Sequence, residues 1–141
     1  IAKEISAKRL FIPISSLSFI GAEQFIQAAG PVSAGVSIAQ VVPSPNKPIA
    51  AVQYCAKALK AYGLKTPMNT THLESCFAMQ TLVEGIRRAK RPITPQSVRD
   101  SLANLGTYDL GGYSITFSPG SHHGSKFVEL AMVTREGKMV R

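Results

Sequence analysis

His72, His122 and His123 are the only imidazoles in the 141-residue sequence. Imidazole is the side chain best suited to moving a proton near neutral pH. Nucleophilic catalysis would set such a base beside a nucleophile, with a further group to orient it. His122 and His123 stand instead in the run Ser118-Pro119-Gly120-Ser121-His122-His123-Gly124-Ser125, whose turn-forming, hydroxyl-rich composition reads as a solvated loop. A metal ion needs several converging ligands, and Glu129 is the only carboxylate within the ten residues that follow His123. No catalytic residue, metal site or cofactor is expected. Gly111-Gly112 leads into strand-like sequence rather than a helix, so it lacks the setting of a dinucleotide-binding turn. It reads as a turn that needs unusual backbone angles.

Binding of a small solute suits the residues better. Ser15-Ser16-Leu17-Ser18 follows a strand-like segment and precedes a helix that begins near Gly21. Hydroxyls and free N–H groups at the carboxyl end of a strand and the start of a helix can hold a carboxylate. A polar connecting loop with no ligand is the plainer alternative. Thr71-x-x-Glu74 reads as a capping box, which puts Thr71, His72 and Glu74 at a second polar helix start. Tyr54 and Tyr62 read as packing residues on a helix surface.

The elements that would position these groups follow from periodicity. Residues 1–9 look like the end of a helix, and 11–14 like a short strand in which Pro13 weakens a central position. A helix is expected over 21–29, with Glu23 in its first turn and Gly30-Pro31 closing it. The nearly continuous apolar run 36–42 suits a parallel strand covered on both faces. Three prolines within 43–48 make a stiff linker, since proline fits neither a strand nor a helix interior. Asn46 is a candidate cap for a helix over 48–62 that Gly63 stops. A long helix follows the capping box, apolar at Leu73, Cys76, Phe77, Val83 and Ile86, and ends in Arg87-Arg88. Thr94-Pro95 opens another. Strands are expected over 113–117 and 127–133, with a tight turn at Glu136-Gly137 before Met139-Val140. The order is that of an α/β protein.

Composition excludes little else. A hydrophobic share of 45% and a charged share of 17% are those of a globular chain, and no apolar run reaches the length of a membrane span. The net charge of +8 is spread over short clusters, among them Arg87-Arg88 and Lys90-Arg91, with no interleaved aromatics. A groove for single-stranded nucleic acid would carry such aromatics, so no nucleic-acid partner is expected. Cys55 and Cys76 fit no zinc or redox spacing. Buried free thiols are the simplest reading, and a disulfide requires their two helices to touch. The sequence opens on Ile1 within helix-like residues, and a processed chain, a truncation or a fragment is expected.

Taken in order, Ser15-Ser16-Leu17-Ser18-Phe19-Ile20-Gly21, Ser33-Ala34-Gly35-Val36-Ser37-Ile38-Ala39-Gln40-Val41-Val42-Pro43, Leu73-Glu74 opening a helix that ends in Arg87-Arg88-Ala89, Tyr108-Asp109-Leu110-Gly111-Gly112 and Phe117-Ser118-Pro119-Gly120 resemble a known family. The chain resembles the C-terminal portion of a type I periplasmic solute-binding protein of ABC transporters, the group that includes the branched-chain amino-acid-binding proteins. The resemblance implies a partial two-lobed α/β fold with parallel sheets and a three-crossing hinge. Residues 1–42 would belong to the second lobe, 43–47 to a crossing, 48–118 to the first lobe, 119–126 to the next crossing and 127–141 to the second lobe again. It implies Ser16, Ser18, Phe19, Thr71, His72 and Glu74 as ligand-binding residues. The partners implied are a small organic solute such as an amino acid or a carboxylate, a membrane permease, and the remaining N-terminal part of the same protein. The implied location is the periplasm, or an extracytoplasmic, lipid-anchored one. A carboxylate near Ser18 would answer an amino acid's ammonium, and residues 15–19 contain none. The alternatives are a cytoplasmic ligand-sensing domain of the same fold and a basic nucleic-acid-binding module.

Overall fold

The computed structural model describes residues 1–141. Its helices are α1 (Ala2–Ala7), α2 (Ala22–Ala29), α3 (Ala50–Tyr62), α4 (Thr70–Arg88) and α5 (Pro95–Ala103). Its strands are β1 (Ser15–Leu17), β2 (Ser37–Gln40), β3 (Gly106–Asp109), β4 (Ser114–Phe117), β5 (Glu129–Val133) and β6 (Met139–Val140). The chain divides into two compact units. The first comprises Ile1–Pro43, Asn69–Thr71 and Phe127–Arg141, and the second Ser44–Met68 and His72–Lys126.

The first unit is built on one sheet of order β1-β2-β5-β6. β1 and β2 are parallel, whereas β5 and β6 add antiparallel neighbours. Side chains alternate across a strand, so Ile38, Ala131 and Val133 point to one face. There Ala22, Val36, Ile38 and Val133 form a core against which Ile14, Phe25, Ile26 and Met139 pack. Each fully buried side chain of this size contributes about 1.5–3 kcal/mol. Leu17, Leu130, Met132 and Val140 point to the other face and are 56%, 68%, 50% and 51% exposed.

Pairing begins later than expected in β1. Phe11 is fully exposed, and the first link to β2 is the Ile14 carbonyl accepting the Ser37 N–H at 3.0 Å. Pro13 has no N–H to offer a sheet, so the strand falls on Ser15–Leu17, residues that read as a loop. The apolar run 36–42 contracts to the four residues of β2, whose burial alternates rather than covering both faces. The turn at Glu136-Gly137 is present, with the Thr134 N–H bonded to the Lys138 carbonyl at 2.8 Å.

In the second unit α3 begins at Ala50, and Asn46 does not cap it. Ile49 stands at the N-cap without a side-chain bond, and the Gly111 carbonyl accepts the Ala51 N–H at 2.9 Å instead. α4 begins at Thr70, one residue before the expected cap, so Thr71 is already helical and cannot act as the capping hydroxyl. The reciprocal capping box lies at α5. There Thr94 Oγ1 accepts the Ser97 N–H at 3.1 Å and Ser97 Oγ accepts the Thr94 N–H at 2.9 Å. β3 and β4 form an antiparallel hairpin whose first strand the periodicity did not mark.

Cys55 and Cys76 are joined in a disulfide, with Cα atoms 6.0 Å apart. Free thiols are thereby corrected. α3 and α4 lie side by side, so two apolar positions on separate helices face each other. On α4, Leu73 and Phe77 are buried as expected, but Val83 and Ile86 are 47% and 41% exposed. Tyr62 is 92% exposed and packs against little.

Candidate functional site

The hydroxyls of the first unit are placed by the end of β1. Ser16 sits at the middle of that strand, half-buried and opposite Ile38. The chain then tightens into a 3-10 turn over Ser18–Ile20, which leaves Ser18 half-buried and Phe19 84% exposed. Gly21 follows with φ +67° and stands at the N-cap of α2, where no side chain caps the helix. A Cβ on Gly21 would meet Gln24 Oε1 at 2.6 Å. Two serines, an aromatic ring and an uncapped helix start therefore share one short segment, an arrangement suited to accepting an anionic oxygen.

Thr71, His72 and Glu74 lie in the first turns of α4, with Thr71 in the first unit and His72 and Glu74 in the second. Thr71 and Glu74 are exposed and His72 is half-buried. Glu74 acts electrostatically on Tyr113, a residue the sequence did not single out. Burial is the main cause that raises the Tyr113 phenol above its ordinary value. A hydrogen bond with Ser125 opposes that shift, and the Glu74 charge adds to it. Tyr113 Oη donates to Ser125 Oγ at 2.8 Å, and its ring centroid lies 4.7 Å from that of Phe77. Tyr113 and Ser125 are twelve residues apart, so nothing local in the sequence pairs them.

His72 also lines a groove of about 550 Å³ between α3 and α4, together with Tyr54, Met79, Val83, Arg87 and Tyr108. The disulfide lies beneath it, where the Gln80 amide nitrogen is 3.2 Å from Cys55 Sγ and 3.6 Å from Cys76 Sγ. Arg87 and Arg88 both pair with Glu84, at 3.5 and 2.7 Å. His122 and His123 are exposed in the loop after β4. No three His, Cys, Asp or Glu side chains converge as a metal ion would need. The second unit thus holds polar and apolar groups at the start of α4 and along the groove.

A possible leucine/isoleucine/valine-binding protein from Rhodopirellula baltica SH 1 superposes on 99% of the chain with a TM-score of 0.90 at 22% identity. A substrate-binding periplasmic protein from Ralstonia solanacearum does so over 99% with a TM-score of 0.86 at 29% identity. The chain has the fold of the type I periplasmic solute-binding proteins. A fatty acid ABC transporter substrate-binding protein from Thermomonospora curvata shares that fold as well, with a TM-score of 0.77 over 99% of the chain at 15% identity. The chain spans about two fifths of the length of these solute-binding proteins, 38%, 40% and 38% in turn. No protein-family model matches the sequence, and no curated protein does. The resemblance read from the ordered motifs is thus met at the level of the solute-binding fold, and the α/β class with it.

Proposed function

We propose that this chain is part of an extracytoplasmic solute-binding component of an ABC importer. In this reading it captures a small organic solute and delivers it to a membrane permease, working in the periplasm with the remainder of a longer protein. The observation that carries the reading is the agreement of 99% of the chain with solved solute-binding proteins, one of them at 29% identity. Solute capture followed by closure is the motion such folds perform.

The solute class follows from the first unit. Ser16, Ser18 and Phe19 offer hydroxyls and an aromatic face at an uncapped helix start, with no carboxylate among residues 15–19. Such a set favours a carboxylate over an ammonium. The similar proteins are named for branched-chain amino acids in one case and fatty acids in another, and a carboxylate is what those solutes share. Thr71, His72 and Glu74 complete the proposed ligand-binding set, with Glu74 the group that would answer a positive charge.

The test is native mass spectrometry of the full-length exported protein, followed by calorimetric titration with the retained solute. Ser16→Ala and Ser18→Ala should each weaken binding by roughly tenfold, the worth of one hydrogen bond to a charged group. A protein that retains nothing and binds no small carboxylate, or whose affinity is unmoved by both changes, would sink the reading.

A further inference from the structure

Arg87, Arg88, Lys90 and Arg91 crowd five consecutive positions where α4 turns into α5, and Arg99 lies on α5 itself. Between Glu84 and Asn104 these five cations face only two carboxylates, Glu84 and Asp100. Solute capture gives this surplus no role.

The cations divide into fixed and free. Arg88 is held in place: its Nε donates to Glu84 at 2.7 Å, and its guanidinium lies 5.7 Å from the Tyr108 ring centroid. Arg87 shares Glu84 at 3.5 Å. Lys90 and Arg91 are exposed and make no ion pair or hydrogen bond. Arg88, Lys90 and Arg91 border a cavity of about 640 Å³ whose far wall is α5. Ser101 belongs to that wall, and its Oγ is buried without a hydrogen-bond partner. Asp100 is the one carboxylate there, and it accepts the Gln96 amide at 2.7 Å. The tip of the turn is apolar: Pro92 is exposed, and Ile93 is 45% exposed.

We infer that this elbow, residues 87–93, is a docking surface for anionic phospholipid headgroups. Unpaired Lys and Arg attract a phosphate-bearing surface, and the cavity bounded by Arg88, Lys90 and Arg91 can admit a phosphate group. Pro92 and Ile93 directly follow the cations and are exposed, which suits insertion at the boundary between headgroup and acyl chain. A nucleic acid would be served better by aromatic side chains for base stacking, and residues 87–93 contain none. An acidic protein surface would give the exposed Ile93 no apolar layer to enter.

The test is co-sedimentation of the protein with vesicles of phosphatidylglycerol in phosphatidylcholine, against phosphatidylcholine alone. Binding should appear only on the anionic vesicles and vanish near ~0.5 M salt, where exposed charges are screened. Lys90→Gln with Arg91→Gln should lower the partition coefficient on the order of 25-fold, or about fivefold per charge. Both side chains are free of partners, so the circular dichroism of the variant should match that of the parent. Ile93→Ser should weaken binding further while leaving its salt dependence in place. Equal binding to both vesicles, no binding, or binding unmoved by the double change would overturn the inference. So would displacement by about 10 mM inorganic phosphate, which marks a small-anion site, or a preference for an oligonucleotide over vesicles.

Discussion

The Gly111 carbonyl accepts the Ala51 N–H at 2.9 Å, closing the first turn of α3 from outside that helix. Two features reserve the position for glycine. Its φ is +107°, and a Cβ there would lie 2.9 Å from Ala50 Cβ and 3.0 Å from the Ala51 nitrogen. Asp109 Oδ1 holds the turn by accepting the N–H groups of Gly111 and Gly112 at 3.2 and 2.9 Å. Gly63 gives a control, because its φ is +100° with nothing within 4 Å of an added Cβ. Gly63→Ala should cost only the left-handed conformation, about 1–2 kcal/mol. Gly111→Ala should cost a further ~1–3 kcal/mol for the crowding against α3. Urea unfolding of both variants measures the gap, and equal losses would show that the close approach is relieved by a small shift.

The disulfide links residues 21 apart in sequence, and closing a loop of that size in the unfolded chain contributes about 3 kcal/mol. Cys55→Ala with Cys76→Ala should therefore lower unfolding stability by roughly that amount, and a reductant should reproduce the loss in the parent. Without reductant, the native and the unfolded protein should both resist alkylation. Labelling of the unfolded, unreduced chain would show free thiols and restore the reading that the sequence favoured.

What was legible in the sequence was what neighbouring residues decide. Thr94-Pro95 marks the start of α5 because cap, proline and Ser97 lie within one turn. The run 36–42 reads as a strand because its apolar character is intrinsic, although pairing confines the strand to Ser37–Gln40. Ser15–Leu17 was illegible because two serines and a leucine become a strand only when β2 supplies the partner. Thr71 and Glu74 have the spacing of a capping box, yet α4 opens a residue earlier, so the pattern falls inside the helix. The Cys55–Cys76 bond depends on two helices meeting. For the proposed site, Ser16 and Ser18 were singled out from their place after a strand, whereas β1 falls on Ser15–Leu17 and Ser18 lies in the turn that follows. Tyr113 and Ser125 were missed because their bond spans a hairpin and a loop.

Tyr113 supplies a test with pH. Burial raises its phenol above the ordinary 10.0, the Ser125 hydrogen bond opposes the shift, and Glu74 adds to it. A raised value in the folded state means that the folded protein holds the proton longer than the unfolded chain. The stabilising contribution is complete below pH 10.0 and is lost as pH rises through the folded value. Stability should therefore fall with a steeper alkaline limb in the parent than in Tyr113→Phe, which has no proton there to lose. Absorbance titration should show a tyrosine that ionises late and disappears in the variant. A variant with an unchanged titration curve would assign that ionisation elsewhere.

The uncovered face of the first unit's sheet makes the last prediction. Leu130 and Met132 on β5, Leu17 on β1 and Val140 on β6 are each at least half exposed, and they lie on one side of four paired strands. β1 and β6 are also the two edges of that sheet, with backbone groups free to pair. Contiguous apolar area of this kind drives association unless something covers it. The 141-residue polypeptide alone should therefore elute from size exclusion as a dimer or larger species at micromolar concentration. Leu130→Lys with Met132→Lys should return it to a monomer, because like charges on neighbouring molecules then oppose stacking of the two faces. These side chains already face water, so the helical signal should survive the change. A parent that is monomeric and unfolds in one cooperative step would show that the face is tolerated in water, and edge pairing would then be the weaker hazard as well.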